Sequence, residues 1–427
     1  MATPLESAGG SRTVAAGFYG WKLLAAFWLI MCFNLGFPAY GQTVMNAVMS
    51  KDLGISRQAL GIIFSFYIAM SGVPGPIVAR SVNRFGVRRT LVLGSFFIIG
   101  GAVLMAVWVR ESWQAIVALG LMIGAGVATG SALASQTCVA QWFVRRRALA
   151  LAILYSAGAI GGTIAAWLLT RVIEQANGDW RAGWWVVAGL SCVAAVIAAI
   201  FVRERPADLG QVPDGTVAAE AAAGTVRRAP FITTETWSFR EAASTRTYWL
   251  IVASLVGGSG GYSLYLAHGV RHLMDLGHPL EIATSSVSIM TVTGLIAKVI
   301  IATLGDRVDP RYLWAIFTAA FGLGLVLVVD ARSYATLVAF STCLGIGFGG
   351  GVVCLMAVLS NYFGTRAFAS LSGLAVAINT GCSVIAPIVG GRLFDKGYGY
   401  GGTFYVVATW CFVGAVVLFM LRAPRKN

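Results

Sequence analysis

In the stretch TVTGLIAKVIIATLGDRVDPR, Thr291 to Arg311, a single ammonium group, that of Lys298, stands inside an otherwise apolar run. A charge held centrally in a membrane helix costs at least about 2.5–3.5 kcal/mol on insertion scales, so it is by default a functional candidate. The chemistry open to it is electrostatic: pairing with an anion, or exchanging a proton with one. All 17 acidic residues fall in loops or at the ends of apolar runs, so the sequence offers Lys298 no partner inside them. Snorkelling competes with this reading. Leu304 is six residues on, about 9 Å at 1.5 Å per residue, and a lysine stem can lie along apolar surface to reach an interface. Against it, Thr291, Gly294, Ala302 and Gly305 recur at helical spacing on the same face. A small, polar stripe faces protein or a cavity, not lipid.

Other groups with chemical capacity are sparse. His268 and His272 lie four apart, as metal ligands on one helical face do, with His278 beyond, but no third or fourth ligand completes a set. His268 is retained as a possible proton-coupling group. The seven cysteines sit inside apolar runs without paired spacing and are read as small buried hydrophobes. GIGFGG, Gly345 to Gly350, satisfies G-x-G-x-x-G on paper, yet that pattern has meaning only between a strand and a helix. Here it reads as close helix packing or a hinge. No nucleophile, metal cluster or acid pair suggests an enzyme, and no cofactor is implied. Polar side chains within the runs, namely Asn34, Gln42, Ser131, Ser135, Gln136, Asn379 and Ser383, can hydrogen-bond a ligand or bridge helices. GGSGGYSLY, Gly257 to Tyr265, is expected to break its helix: Gly257, Gly258, Gly260 and Gly261 act as a hinge, and Tyr262 and Tyr265 as an outer gate lining the site.

The elements that must position these groups follow from composition. A chain of 427 residues that is 58% hydrophobic and 11% charged lies far from the roughly 25% charge of soluble domains. Twelve apolar runs are long enough to span a bilayer, which takes about 20 residues each. They fall at 21–45, 58–79, 90–109, 113–141, 148–170, 183–202, 248–274, 284–304, 312–329, 334–361, 368–391 and 402–421. The start, MATPLESAGGSRTVAAG, has no secretory-signal pattern, so the first run is expected to remain as a permanent helix. The fold class predicted is an all-α polytopic membrane protein. With both termini inside, 21 of the 31 basic residues are cytoplasmic and nine are outside, leaving Lys298. The net charge of +14 is therefore a topology signal of the positive-inside kind rather than a nucleic-acid footprint.

The chain is nearly symmetric about its longest polar segment, 203–247, read as a linker without periodicity. NRFGVRR, Asn83 to Arg89, has a counterpart in DRVDPR, Asp306 to Arg311. QWFVRRRALALA, Gln141 to Ala152, has one in NYFGTRAFASLS, Asn361 to Ser372. The organisation predicted is a tail at 1–20, six-helix bundles at 21–202 and 248–421, and a tail at 422–427.

These repeats resemble the major facilitator superfamily over the full length. FYGWKLL (Phe18 to Leu24), WFVRRRALALAI (Trp142 to Ile153), DWRAGW (Asp179 to Trp184), RERPADLG (Arg203 to Gly210) and GGRLFDKGYGY (Gly390 to Tyr400) are similar to its monocarboxylate porter and oxalate:formate antiporter branch. The resemblance implies alternating access by rocking of two bundles about a midplane site. It places Lys298 where anion transporters of the branch often carry an arginine on the eighth helix. A lysine gives a point charge, not a bidentate fork. The second basic residue that oxalate-type members carry on the eleventh helix is absent from Leu371 to Gly391, where Asn379 and Ser383 stand instead. One positive charge matches one carboxylate. The resemblance thus implies transport of a small organic anion, a monocarboxylate ahead of a dicarboxylate, with a proton or counter-anion as possible partner. The membrane implied is a cell membrane, a bacterial inner membrane, with cytoplasmic termini. Alternatives are an exporter of amphipathic drugs and a transport-dead nutrient sensor. Asn83, Arg84, Arg88, Asp306 and Arg307 are implied to form conformational latches, with Asn83 where the family usually has Asp.

Overall fold

The computed structural model describes residues 18–143, 146–214, 233, 235, 237–304 and 308–424. Asp306 and Arg307, the second half of the expected latch, and Gly305 lie outside them. Among the described residues, eleven helical stretches are long and apolar enough to cross a membrane. The remaining crossing is a kinked one. We label the helices in chain order: α1 Gly20–Asp52, α2 Arg57–Gly72 continuing through 75–85, α3 87–107, α4 Ser112–Trp142, α5 Arg147–Gln175, α6 Arg181–Phe201, α7 Arg246–Asp275, α8 Leu280–Leu304, α9 Pro310–Val328, α10 334–363, α11 Ser370–Tyr398 and α12 Gly401–Met420. The helices alternate in direction, so the connections fall at two ends. We call the end bearing the segment between α6 and α7 the linker end, and the other the far end.

Of the four inter-helix segments picked out by the sequence repeats, two are tight in the same way. Gly86 (φ 84°) separates α2 from α3, and Gly364 (φ 71°) separates α10 from α11. Positive φ costs a residue with a Cβ, so glycine lets each chain reverse without a loop. α2 is bent at Val73–Pro74, where proline cannot donate to the preceding turn.

Three sequence expectations change. α7 is one continuous helix from Arg246 to Asp275, with no break at GGSGG: Gly257 packs on Trp410 and Gly261 on Leu325 and Phe321, while Gly258 keeps helical geometry although nothing lies within 4 Å of where its Cβ would be. The segment 203–247 is not uniformly irregular: Pro206–Leu209 forms a 3₁₀ turn, and Phe239–Ala243 a short helix closed by a reciprocal Ser238–Glu241 capping box. Its first part docks on the N-terminal half, where the Asp214 amide donates to the Trp142 carbonyl (3.2 Å). Its last part docks on the C-terminal half, where the Thr233 amide donates to the Asn361 carbonyl (2.7 Å). Finally, α1 and α11 run well past their predicted ends, to Asp52 and Tyr398.

The glycines of GIGFGG are close approaches. A Cβ at Gly349 would enter the backbone of Gly294, one at Gly345 the backbone of Met290, and ones at Gly347 and Gly350 would meet Phe317. They seat α10 on α8 and α9, the packing role read from the sequence.

Candidate functional site

Among the described residues the two six-helix halves meet mainly along three helix pairs, α2 with α11, α5 with α8, and α1 with α7, with a smaller contact between α2 and α7. The α5–α8 seam is a row of small hydroxyls. Thr170 donates to Thr284 (2.9 Å), Ser288 donates to the Thr163 carbonyl (3.2 Å), and Thr163 and Thr291 share a hydrogen bond of 2.7 Å. At the far-end rim, Arg171 pairs with Glu281 at 2.9 Å. Threonine and serine at these places let the helices approach while their hydroxyls also satisfy backbone carbonyls one turn back.

Lys298 continues this stripe. It lies seven residues past Thr291, two turns or about 10.5 Å towards the linker end. Ser156 occupies the matching place on α5, seven residues before Thr163, and accepts a hydrogen bond from Trp28 Nε1 (3.1 Å). Lys298 is half-buried and, among the described residues, has no carboxylate partner. The face assigned to it from sequence divides in two: Thr291 meets α5, whereas Gly294 packs on Gly345 and Gly349 of α10. The side chain of Ala302 lies outside what is described.

The remaining candidates disperse. Asn34 is fully buried at a π-helical turn of α1, Cys32–Gly36. Its amide donates to Ser95 Oγ (2.8 Å) and to the Gly130 carbonyl (3.0 Å). Gly130 precedes Ser131, whose φ −138°, ψ −113° interrupts α4. Asn34 thus serves a broken helix, and its Oδ1 is left without a partner. Gln136 on α4 accepts from the Tyr155 hydroxyl on α5, with Tyr155 exposed. Asn379 on α11 is half-buried, with an unpartnered Oδ1. Tyr265 stays within the C-terminal half, donating to Ser286 Oγ of α8 (2.5 Å). Tyr262 crosses between halves: its hydroxyl donates to Tyr40 Oη on α1 (2.9 Å), while its ring stacks on Phe348 with centroids 3.4 Å apart.

His268 does not share a site with Lys298. Tyr265 is level with Ser286, Lys298 is twelve residues further along α8, and His268 is one turn further the opposite way, a separation of about 20 Å along the helix axes. His268 is fully buried, donates from Nε2 to the Pro387 carbonyl (2.9 Å), and lies against the Tyr400 ring. Among the described residues no group of His, Cys, Asp or Glu is placed to hold a metal.

Around His268 lies a far-end cluster that sequence reasoning missed. Asp395, in the last, π-helical turn of α11, accepts from the backbone amides of Arg57 (3.0 Å) and Gln58 (2.8 Å), and Ser56 Oγ accepts from that of Ala59 (3.1 Å). The first amides of α2 are thus capped by a carboxylate from the opposite half, where the helix dipole favours negative charge. The Arg57 guanidinium pairs with Asp275 at the end of α7 and lies 5.0 Å from the Phe394 ring centroid. The only hint in the sequence was GGRLFDKGYGY, quoted for its resemblance and not for its aspartate.

At the linker end, Asn83, Arg84 and Arg88 flank the Gly86 turn, and a Cβ at Gly86 would strike the Glu204 carboxylate. That carboxylate is delivered by RERP, anchored where Trp142 Nε1 donates to the Arg203 carbonyl (3.1 Å). A negative charge therefore stands at the start of α3, close to the turn where Asn83 lacks one.

Comparison with known proteins agrees with this architecture. The family model described as Major Facilitator Superfamily matches residues 23–297 and 273–427. Monocarboxylate transporter 3 of Rattus norvegicus is 27% identical over 417 residues, covering 94% of this chain and 80% of its own. The gentisate transporter of Corynebacterium glutamicum is 21% identical over 421 residues, covering 96% and 90%. Among solved structures, a point mutant of the nucleoside transporter NupG superposes with a TM-score of 0.70 at 14% identity, over 94% of this chain and 99% of its own. A bacterial homolog of the human lysosomal transporter Spinster, solved inward-facing and unoccupied, does so with a TM-score of 0.70 at 14% identity, over 96% and 98%.

Proposed function

The chain belongs to the major facilitator superfamily, and from that premise we propose that it is a secondary transporter of a small organic monocarboxylate, with Lys298 as the counter-charge for the substrate. The observation that carries the reading is the position of Lys298: a lone ammonium on the cross-half seam, on the linker side of the last threonine contact, with no carboxylate partner among the described residues. A single positive charge is matched by a single carboxylate. Similarity to a monocarboxylate transporter and to a gentisate transporter supports the same reading.

In this reading the far end is the outer one, since the basic residues concentrate at the linker end. The far-end contacts support a state closed to the outside, in which Lys298 and Ser156, on the linker side of the hydroxyl seam, are reached from the cytoplasm. The substrate carboxylate neutralises Lys298 as it enters. With that charge masked, the bundles rock: the hydroxyl seam, the Tyr40–Tyr262 bond and the Asp395 cap break, and contacts at the linker end replace them. Each neutral hydrogen bond is worth about 0.5–1.5 kcal/mol net. The two states must lie within a few kcal/mol of each other for the substrate to shift between them. No carboxylate relay lies along the described helices, which leaves exchange, or proton symport in which Lys298 and the bound acid trade the proton.

The test is uptake of labelled monocarboxylates into proteoliposomes, with and without a pH gradient or internal substrate. Lys298→Ala abolishes saturable uptake in a protein that still folds, and Lys298→Arg retains part of it. Unaltered kinetics in the alanine variant would return Lys298 to snorkelling.

A further inference from the structure

A groove of about 810 Å³ opens on the lipid-facing side of the C-terminal half, with α7 as its floor and α11 and α12 as its walls. Its lining is apolar along Cys382, Ile385, Val389 and Leu393 of α11 and Val406 and Trp410 of α12. At its far-end mouth stands Lys396, the only charged residue in the lining, beside the exposed Tyr398. The neighbouring carboxylate, Asp395, is turned away to cap α2. No carboxylate pairs with Lys396 among the described residues. From Cys382 to Lys396 the groove follows fourteen residues of helix, about 21 Å. One leaflet of the hydrocarbon core is about 15 Å deep. The groove thus runs from headgroup level, where tyrosine and lysine typically anchor, through the whole depth of one leaflet.

We propose that this groove is a binding site for one anionic phospholipid of the far-end leaflet, its acyl chain laid along α11 and its headgroup phosphate on Lys396. Apolar complementarity alone selects nothing in a membrane, because lipid tails are as apolar as the groove. Selection comes from the charge. A lysine near the surface favours an anionic headgroup by about 1 kcal/mol, which is about fivefold over a zwitterionic one. The tail has a specific floor. Gly257 and Gly260 of α7 line the groove, and a Cβ at Gly260 would meet only Ala386 at 3.6 Å. A bound chain therefore lies against the glycine segment of the helix that also carries Tyr262.

The experiment is native mass spectrometry of the full chain in detergent, titrated with equimolar phosphatidylglycerol and phosphatidylcholine of equal chain length. Wild-type protein retains one phosphatidylglycerol with about fivefold preference. Lys396→Gln removes that preference, Lys396→Arg keeps it, and Ala386→Trp, which fills the groove, displaces the lipid. Lipid held at the basic linker end is common to all variants and cancels in the comparison. Absence of a headgroup preference in the wild type, its persistence in Lys396→Gln, or a dimer forming in place of lipid retention would each overturn the assignment. Lys396 is exposed and is not one of the residues assigned to the anion site, so transport by Lys396→Gln separates failure of this proposal from failure of the anion reading.

Discussion

The hydroxyl of Tyr262 on α7 donates to that of Tyr40 on α1 at 2.9 Å, joining the two halves of the molecule beside a Tyr262–Phe348 stack. Tyr262→Phe keeps the stack and removes only the cross-half bond. The bond's net worth of about 1 kcal/mol corresponds to roughly a fivefold shift in the balance between far-end-closed and far-end-open states. Spin labels replacing Lys51 and Arg332, both exposed at the far end, report that balance as a change in distance distribution. Tyr40→Phe gives the same shift, and the double variant gives no more than either alone. Additive effects would mean that the two hydroxyls act independently.

Asp395 caps α2 from the opposite half, so its removal acts on the same equilibrium. Losing a helix cap costs about 0.5–2 kcal/mol. Because the cap exists only when the halves meet, Asp395→Ala loses it from the closed state alone and raises the far-end-open population about two- to thirtyfold. Asp395→Asn retains an acceptor and has a smaller effect. If the thermal midpoint falls while the label distances stay fixed, the carboxylate stabilises the fold without biasing the states.

The glycines of α7 separate into different roles. Gly258 has open space where a Cβ would go, whereas one at Gly261 would press on Leu325, Phe321 and Val407 within 3.1 Å. Gly258→Ala therefore stiffens α7 by about 1 kcal/mol without a clash. Its maximal transport rate falls more than its substrate affinity. Gly261→Ala disturbs packing and lowers thermal stability. Paired kinetics and equilibrium binding distinguish the two, and normal turnover in Gly258→Ala would remove the hinge from that position.

His268 lies about 20 Å from Lys298 along the helix axes; its Nε2 donates to the Pro387 carbonyl, and its buried Nδ1 has no hydrogen-bond partner. Glutamine can donate the same hydrogen bond. His268→Gln therefore leaves the pH profile of uptake nearly unchanged. A variant that kept exchange but lost proton-driven accumulation would establish His268 as the relay after all.

Much of the architecture was legible because lipid imposes a one-dimensional rule: a span needs about 20 apolar residues, with its backbone bonds closed inside the helix. Run lengths, charge asymmetry and the repeated NRFGVRR and DRVDPR segments accordingly identified the two halves and singled out Lys298. The packing glycines of α10 were legible for the same reason, since a residue without a side chain in a membrane helix marks a close approach. Which polar groups share a site is set by contacts between distant segments, and the sequence carries no local signal for these. The amide of Asn34, a ligand candidate by sequence, donates to the Gly130 carbonyl ahead of a break in α4, invisible in an uninterrupted apolar run. Tyr262 and Tyr265 looked alike, yet being three apart turns one towards Tyr40 and the other towards Ser286. Asp395 and Arg57 are 338 positions apart, and each reads as an ordinary loop charge. Only the docking of one half on the other makes them a helix and its cap, because a cap requires amides and carboxylate within hydrogen-bonding distance and sequence spacing does not encode that across independent bundles.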